Sequence, residues 1–321
     1  MIYERFGDPA VLELREVPEP HAGAGEVRVR VTAAGLNPMD WMIASSPQVA
    51  SMFGVALPSG FGYDFAGVVD EVGAEVGGFA VGDRVHGGAM GRAVADYAVV
   101  RVPPSRPDML FHTPEGISDT VASSLPTPGS TAAAAVHAIG VHPGDTVLIG
   151  GAAGGVGVLA VQLAKLAGAR VIGTASEGTF EFLRQFGVEP VTYGPGLADR
   201  VRTAAPEGAT AAIDLFGTET AMAAIELGVP PERISTIAAG PNPPGGVRAV
   251  GGFDAGPGDL DRIIDAVIAG QITVPIAATF PLAQTRDAVL MQADRHVHGK
   301  IVITVHDHAG SHRPDRPGSA N

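Results

Sequence analysis

The chain has 321 residues, enough for two domains that each bury a core. Hydrophobic residues make up 45% and charged residues 17%, and the formal net charge of −13 argues against nucleic acid and anionic membrane as partners. There is no cysteine, which excludes disulfides, thiolate catalysis and cysteine-ligated zinc.

The first stretch, MIYERFGDPAVLELREV, has no basic segment followed by an apolar core, so no signal peptide is expected. No run approaches transmembrane length, and the cytoplasm is the expected compartment. Residues 1–124 read mostly as strands and turns. Val27, Val29 and Val31 alternate with Arg28, Arg30 and Thr32, as in a half-buried strand. Gly67 to Gly73 reads as a second strand, Gly82 to Val85 as a turn entering a third, and Ala95 to Val102 as a fourth. Pro103 to Pro107 is a stiff loop.

Near residue 125 the period changes. Thr127 followed by Pro128 predicts an N-cap and a first helical proline, opening an alanine-rich helix that leads to Gly140. Strands are predicted over 146–150, 170–175, 190–193, 211–216, 233–238 and 247–253, with helices between the first five. That alternation predicts a doubly wound parallel sheet. Residues 239–246, rich in Gly and Pro, are too short for a helical crossover. The sixth strand is therefore expected to enter differently or to lie at a sheet edge, where an unpaired edge invites a second subunit. A helix with Leu260, Ile263, Ile264, Val267 and Ile268 on one face ends at Gly270, and residues 272–305 return as strand, helix, strand to the first domain. The expected division is 1–124 with 267–306 as one domain and 125–266 as the other. Residues 307–321 read as a disordered tail, and His306, His308 and His312 as solvated side chains rather than metal ligands.

The most informative stretch is Thr146 to Ala160, where a β-branched run enters a glycine cluster and a helical pattern follows. A dinucleotide's pyrophosphate needs that order. The turn must be tight, no Cβ can hold the anion off, and a helix N-terminus must present free N–H groups. Ala152, Gly154 and Gly157 take the three places of the dinucleotide fingerprint, alanine being a departure at the first. Val156, Leu159, Ala160, Leu163, Leu166 and Ala167 mark the helix's apolar face, and Gly168 its stop. Ala152, Ala153, Gly154, Gly155, Val156 and Gly157 are the expected cofactor cradle.

An NAD-preferring fold carries an acid at the end of the second strand. Ala175 occupies that place here. With no carboxylate to repel a 2′-phosphate, and with Ser176 able to donate to it, NADPH is the expected cofactor. Glu177 is the counterargument for NADH. Tyr193 is a candidate for the phosphate clamp, Arg184 and Arg200 weaker ones. Phe216, Gly217, Ala238, Gly252 and Phe253 end strands on the ligand side and are expected at the cofactor, with a core or dimer contact the alternative for Phe253.

Seven segments together, Ala34 to Asp40, Gly62 to Val69, Gly82 to Val85, Leu125 to Pro128, Ala152 to Gly157, Asp214 to Gly217 and His298 to Val302, resemble the medium-chain dehydrogenase/reductase superfamily. The likeness is to its zinc-free quinone oxidoreductase branch and runs over about 1–305. It implies a GroES-like, mostly-β catalytic domain joined to a Rossmann domain, a cleft between them, and a homodimer. Where zinc-dependent relatives place Cys and a His-Glu pair, the matching residues here are Asn37, Tyr63 and Asp64. Asn and Tyr are poor zinc ligands and one carboxylate cannot hold the ion alone, so no metal is expected. The resemblance puts Asn37 and Thr127 near the nicotinamide. Tyr63 is either a donor to a developing oxyanion or a packed aromatic. Asp40 reads as a cap or ion-pair partner. Lys300 either contacts the cofactor or forms a surface ion pair.

The expected chemistry is hydride transfer from NADPH to an acceptor that is already electrophilic, a quinone or an α,β-unsaturated carbonyl. One alternative is an enoyl-thioester reductase of fatty-acid or polyketide assembly. Pro38 and Met39 stand against it, in a segment where such reductases often offer a tyrosine. A non-catalytic NADPH-binding regulatory protein is the other.

Overall fold

The structure, a computed structural model, describes residues 1–240 and 242–305. The tail and its three histidines, His306, His308 and His312, lie outside the described residues. In chain order the strands are β1 (Ile2–Tyr3), β2 (Glu26–Leu36), β3 (Ser59–Gly60), β4 (Asp64–Val72), β5 (Arg84–Gly88), β6 (Tyr97–Arg101), β7 (Met109–His112) and β8 (Thr146–Gly150). They continue as β9 (Arg170–Ala175), β10 (Glu189–Thr192), β11 (Ala211–Asp214), β12 (Ile234–Thr236), β13 (Arg248–Ala249), β14 (Ile276–Pro281) and β15 (Lys300–Thr304). No helix of the described residues is long and apolar enough to cross a membrane.

The first sheet runs β14-β15-β2-β4-β5-β7, with β6 also on β2. Strand β2 organises it. Its first half pairs with β6 (Arg28↔Val99) and its second half with β15 (Ala34↔Ile303), while β4 lines the other side along its length. Two register shifts against β4 bend it. Curvature of this kind wraps the sheet around one core that holds Val27, Val29, Val31, Phe61, Phe65, Val85, Ile301 and Ile303. Each of the large residues contributes about 1.5–3 kcal/mol on burial. Arg28, expected on a solvated face, is only 9% exposed. Its guanidinium is satisfied by both oxygens of Asp70, at 3.0 and 3.1 Å, and by Glu19 at 2.7 Å.

The second sheet runs β10-β9-β8-β11-β12-β13, every pairing parallel. Counted from β8, that order is the dinucleotide-binding one. Its last strand joins in parallel at the edge, and the crossing into it is the 3-10 turn Pro244–Gly246 in place of a helix. Strands β8 and β9 keep the predicted bounds, while β11 and β12 are shorter than predicted because polar side chains capture the next amides. Asp214 accepts from the N–H groups of Phe216 and Ala221, ending β11. Thr236 accepts from those of Ala238 and Ala239, ending β12. The predicted sixth strand shrinks to two residues, and Gly252–Asp254 forms a 3-10 turn.

The helix Gly157–Leu166 buries Val158 and Val161 as well as Leu159 and Ala160, while Leu166 is exposed. A single predicted face fails there because sheet and helices cover the element on several sides. The helix Asp259–Ile268 packs Leu260, Ile263 and Ile264 into the same core as Ala132 and Ala135. A division at 266/267 falls inside it.

Candidate active site

The helix Pro126–Ala138 starts two residues earlier than predicted, with Pro126 first and Leu125 before it. Thr127 is therefore inside the first turn, where backbone N–H groups lack helical partners. Asp64, the first residue of β4, supplies the missing acceptor from the other sheet. Its carboxylate accepts from the Thr127 N–H at 3.0 Å and from the Thr127 hydroxyl at 2.7 Å. Asn37 Nδ2 donates to the other Asp64 oxygen at 2.8 Å and to the Gly35 carbonyl at 3.4 Å. The Asn37 backbone N–H donates to Asp40 at 2.7 Å, so Asp40 caps the start of the helix Pro38–Ser45.

Lys300 completes this hub. It is 3% exposed, and Nζ donates to the Leu36 carbonyl at 2.7 Å and to Asn37 Oδ1 at 2.6 Å. It is not a surface ion pair. Its place follows from the antiparallel pairing of Ile301 with Leu36. Burial pushes the Asp64 carboxyl up to about 6, and the nearby Lys300 ammonium pulls it down. Burial likewise pushes Asp40 up to about 7, with Asp64 adding to the rise. Burial pulls Lys300 down, and the two carboxylates hold it up.

Tyr63 stands beside Asp64, and its backbone N–H lies on the Asp40 carboxyl, but its side chain turns away from the hub. Its ring is buried over Gly88, where a Cβ would overlap it, and its hydroxyl donates to the Pro107 carbonyl. Burial raises its phenol well above the ordinary range.

The glycine-rich turn lies between β8 and its helix. A Cβ on Gly157 would overlap the carbonyl oxygen of Gly151, so only glycine fits. One on Gly154 would meet nothing closer than that oxygen at 3.4 Å, which leaves this position open. One on Gly155 would come within 2.9 Å of Lys300 Cδ. Ala152, in the turn after β8, is packed against Gly173 of β9. The turn is held from two sides. Gly151 N–H donates to Thr174 Oγ1 at 3.2 Å, and Gly299 N–H donates to the Ala153 carbonyl at 2.9 Å. With Val156 as its cap, the helix points its N-terminus at the turn, so the residues fit a bound diphosphate.

Ser176 follows β9 directly and contacts Thr179 Oγ1 at 2.8 Å. Tyr193 and Phe216 are exposed at strand ends on the same side of the sheet. Arg295 lies 4.8 Å over the Phe216 ring. Arg200 donates to the carbonyls of Thr192, Tyr193, Gly194 and Pro195, so its guanidinium shapes that loop. Ala238 follows the end of β12. Gly252 lies against Thr131, and Phe253 is partly exposed beneath Arg106 at 5.2 Å. Sequence reading did not single out Asp64 as the hub, or Asp214, Thr179 and His298. Asp64, Asp214 and His298 each carried a signal, their places in segments that bear the resemblance, and Thr179 carried none.

The family described as "Alcohol dehydrogenase GroES-like domain" matches residues 23–101, and "Zinc-binding dehydrogenase" matches 155–254. The solved quinone oxidoreductase of Coxiella burnetii is 32% identical, with a TM-score of 0.82 over 95% of this chain and 98% of that one. A mycobacterial protein solved in complex with NADPH is 26% identical, with a TM-score of 0.82 over 95% and 98%. The spectinabilin polyketide synthase protein NorB of Streptomyces orinoci is 32% identical over 93% of this chain, which spans only 14% of NorB.

The second family description implies zinc, and the hub does not fit it. Both Asp64 oxygens already accept from Asn37 and Thr127, Asn37 presents N–H groups on one side and an occupied oxygen on the other, and an ammonium sits beside them. Among the described residues no group of three or more His, Cys, Asp or Glu could hold a metal ion. The paired domains, the sheet order and a 32% identical relative matched over nearly its whole length make the chain a member of the medium-chain dehydrogenase/reductase superfamily, in its quinone oxidoreductase branch.

Proposed function

We propose that the protein is a zinc-independent, NADPH-dependent reductase that passes hydride to a quinone or an α,β-unsaturated carbonyl. One observation carries the reading. Both Asn37 amide hydrogens and the Thr127 hydroxyl hydrogen point inward, to Gly35, Asp64 and Asp64 respectively. These residues therefore offer no strong acid to a substrate, and the acceptor must be electrophilic by itself. When bound, NADPH supplies the hydride. The residues of the chain position and exclude. The hub fixes the Asn37 and Thr127 backbones at the joint between the two sheets, and the glycine-rich turn orients the diphosphate. Solvent delivers the proton, and we assign Tyr63 a packing role.

The preference for NADPH is supported by Ala175 in place of an acid, by Ser176 beside it, and by the mycobacterial relative that binds this cofactor. The proposal includes the cytoplasm as compartment and a homodimer paired through the free edge of β13. A second reading, an enoyl-thioester reductase, is favoured by the match to a polyketide synthase over 93% of this chain. One screen separates the two, NADPH and NADH oxidation measured against quinones, enones and enoyl thioesters. Fast turnover of simple quinones with NADPH is expected. Turnover confined to thioesters would transfer the assignment to the second reading, and tight nucleotide binding without turnover on any acceptor would overturn both.

A further inference from the structure

The three residues His298, Gly299 and Lys300 span the dinucleotide site. Lys300 ends in the hub, Gly299 clips the glycine-rich turn, and His298 reaches the end of β9. There His298 Nε2 lies 2.9 Å from Thr179 Oγ1, and Thr179 Oγ1 lies 2.8 Å from Ser176 Oγ. The chain of contacts is built. Thr179 is buried at 5% exposure, and the His298 ring stacks on Phe182 with centroids 5.1 Å apart and planes 27° from parallel. Nothing in the sequence joins Thr179 to His298, which are 119 residues apart.

A hydroxyl has one hydrogen to give, so such a chain has a direction. If His298 donates through Nε2 to Thr179, then Thr179 donates to Ser176. The Ser176 hydrogen is thereby left free to point outward. If Nε2 accepts instead, the Ser176 hydrogen is drawn inward, and its lone pairs face the ligand. The outward hydrogen suits a 2′-phosphate, which only accepts, and the outward lone pair suits a ribose hydroxyl.

Resting on the NADPH reading, we propose that His298 is a positioning residue for cofactor choice: through Thr179 it turns Ser176 into an outward donor for the 2′-phosphate of NADPH. Nothing in this assignment requires His298 to touch the cofactor. The phosphate clamp then needs no lysine or arginine in the turn after β9, which holds none.

The test is calorimetric titration of the full chain with NADPH and NADH, without any acceptor. Two variants interrupt the chain at different points. His298→Phe keeps a stacking ring and removes the nitrogen, and Thr179→Val is nearly isosteric and removes the hydroxyl. Each is expected to weaken NADPH binding about tenfold, the worth of a hydrogen bond to a charged group, and to leave NADH unchanged. The double variant is expected to be no worse than either single one, because one broken link already frees the direction of Ser176. Equal loss of both nucleotides, an unchanged ratio, or additive losses would overturn the assignment to His298 while leaving the preference of the wild type intact. A wild type that does not prefer NADPH would overturn the cofactor reading, and the relay with it. Should His298→Phe fail to fold, His298→Leu takes its place with the same expected outcome.

Discussion

Replacing Lys300 with methionine tests the hub directly. The side chain is 3% exposed and its ammonium donates to Leu36 and Asn37, with the Asp64 and Asp40 charges close by. Methionine keeps most of the stem and removes only the cation. At pH 8 the two carboxyls must then either stay ionised without a cation or take up protons against the solution pH, and removing one partner from such a buried group costs up to about 3–5 kcal/mol. At pH 5 the two carboxyls, already pushed up to about 6 and about 7, take up protons, and the loss shrinks to the hydrogen bonds of the ammonium, about 1–3 kcal/mol. The sign follows from proton counting. Both folded values lie above the unfolded one of about 3.9, so the native chain binds more protons than the unfolded chain in that window, and stability falls as pH rises from about 4 to about 7. Without Lys300 to pull them down, both carboxyls rise further and the fall steepens. Urea midpoints at pH 5 and pH 8, with unchanged slopes, give the two losses. An equal loss at the two pH values would refute the reasoning, since it would mean that Lys300 acts by packing rather than by charge.

Gly154→Asp should keep the wild-type melting temperature and lose nucleotide binding by calorimetry, because its Cβ is open and a carboxylate there repels a diphosphate; Gly155→Asp should also destabilise the fold, because its Cβ meets Lys300. Gly157→Ala should cost about 1–3 kcal/mol in thermal or urea unfolding and weaken the same binding, since the obstructing atoms are backbone. Tyr63→Phe should cost about 1 kcal/mol of stability by orphaning the Pro107 carbonyl while turnover stays at the wild-type rate; a hundredfold fall in kcat would restore Tyr63 as a donor to substrate. His86 is fully buried, contacts Thr113 Oγ1 at 3.1 Å, has no partner for Nε2 among the described residues, and is pushed down to about 4 by burial. The unfolded chain protonates near pH 6.5 and the folded chain does not until about 4, so His86 costs stability as pH falls through that window, up to about 3 kcal/mol. In His86→Leu that acid-side slope should vanish from a series of unfolding curves.

What was legible in the chain had a local cause. The glycine-rich turn could be read because each requirement falls within a dozen residues: a β-branched entry, no Cβ at the close approach, and a helix behind it. The short crossing before β13 announced an edge strand for the same reason, since eight residues cannot hold a helix and two turns. Strand ends were read too long wherever a side chain takes the next amides, as Asp214 and Thr236 do, because hydrophobic patterning does not register that competition. The hub could not be read as a hub. Asp64 reaches Thr127 across 63 residues and Lys300 reaches Asn37 across 263. A lone lysine is nearly always solvated, which is why a surface ion pair was one expectation for Lys300, while the cofactor contact came from the family resemblance. What buries it is register. Once Ile301 pairs with Leu36, its neighbour Lys300 falls beside the turn that starts at Asn37, where two carboxylates already need a cation. A buried charge therefore becomes predictable only after the strand pairing is known, and the same pairing brings His298 to Thr179 and Gly299 to Ala153. Shifting β15 by a single residue would turn each of these side chains to the opposite face. The interior of the seven-stranded sheet, which pins that register with Ile301 and Ile303, thus sets the geometry of the nucleotide site from a distance.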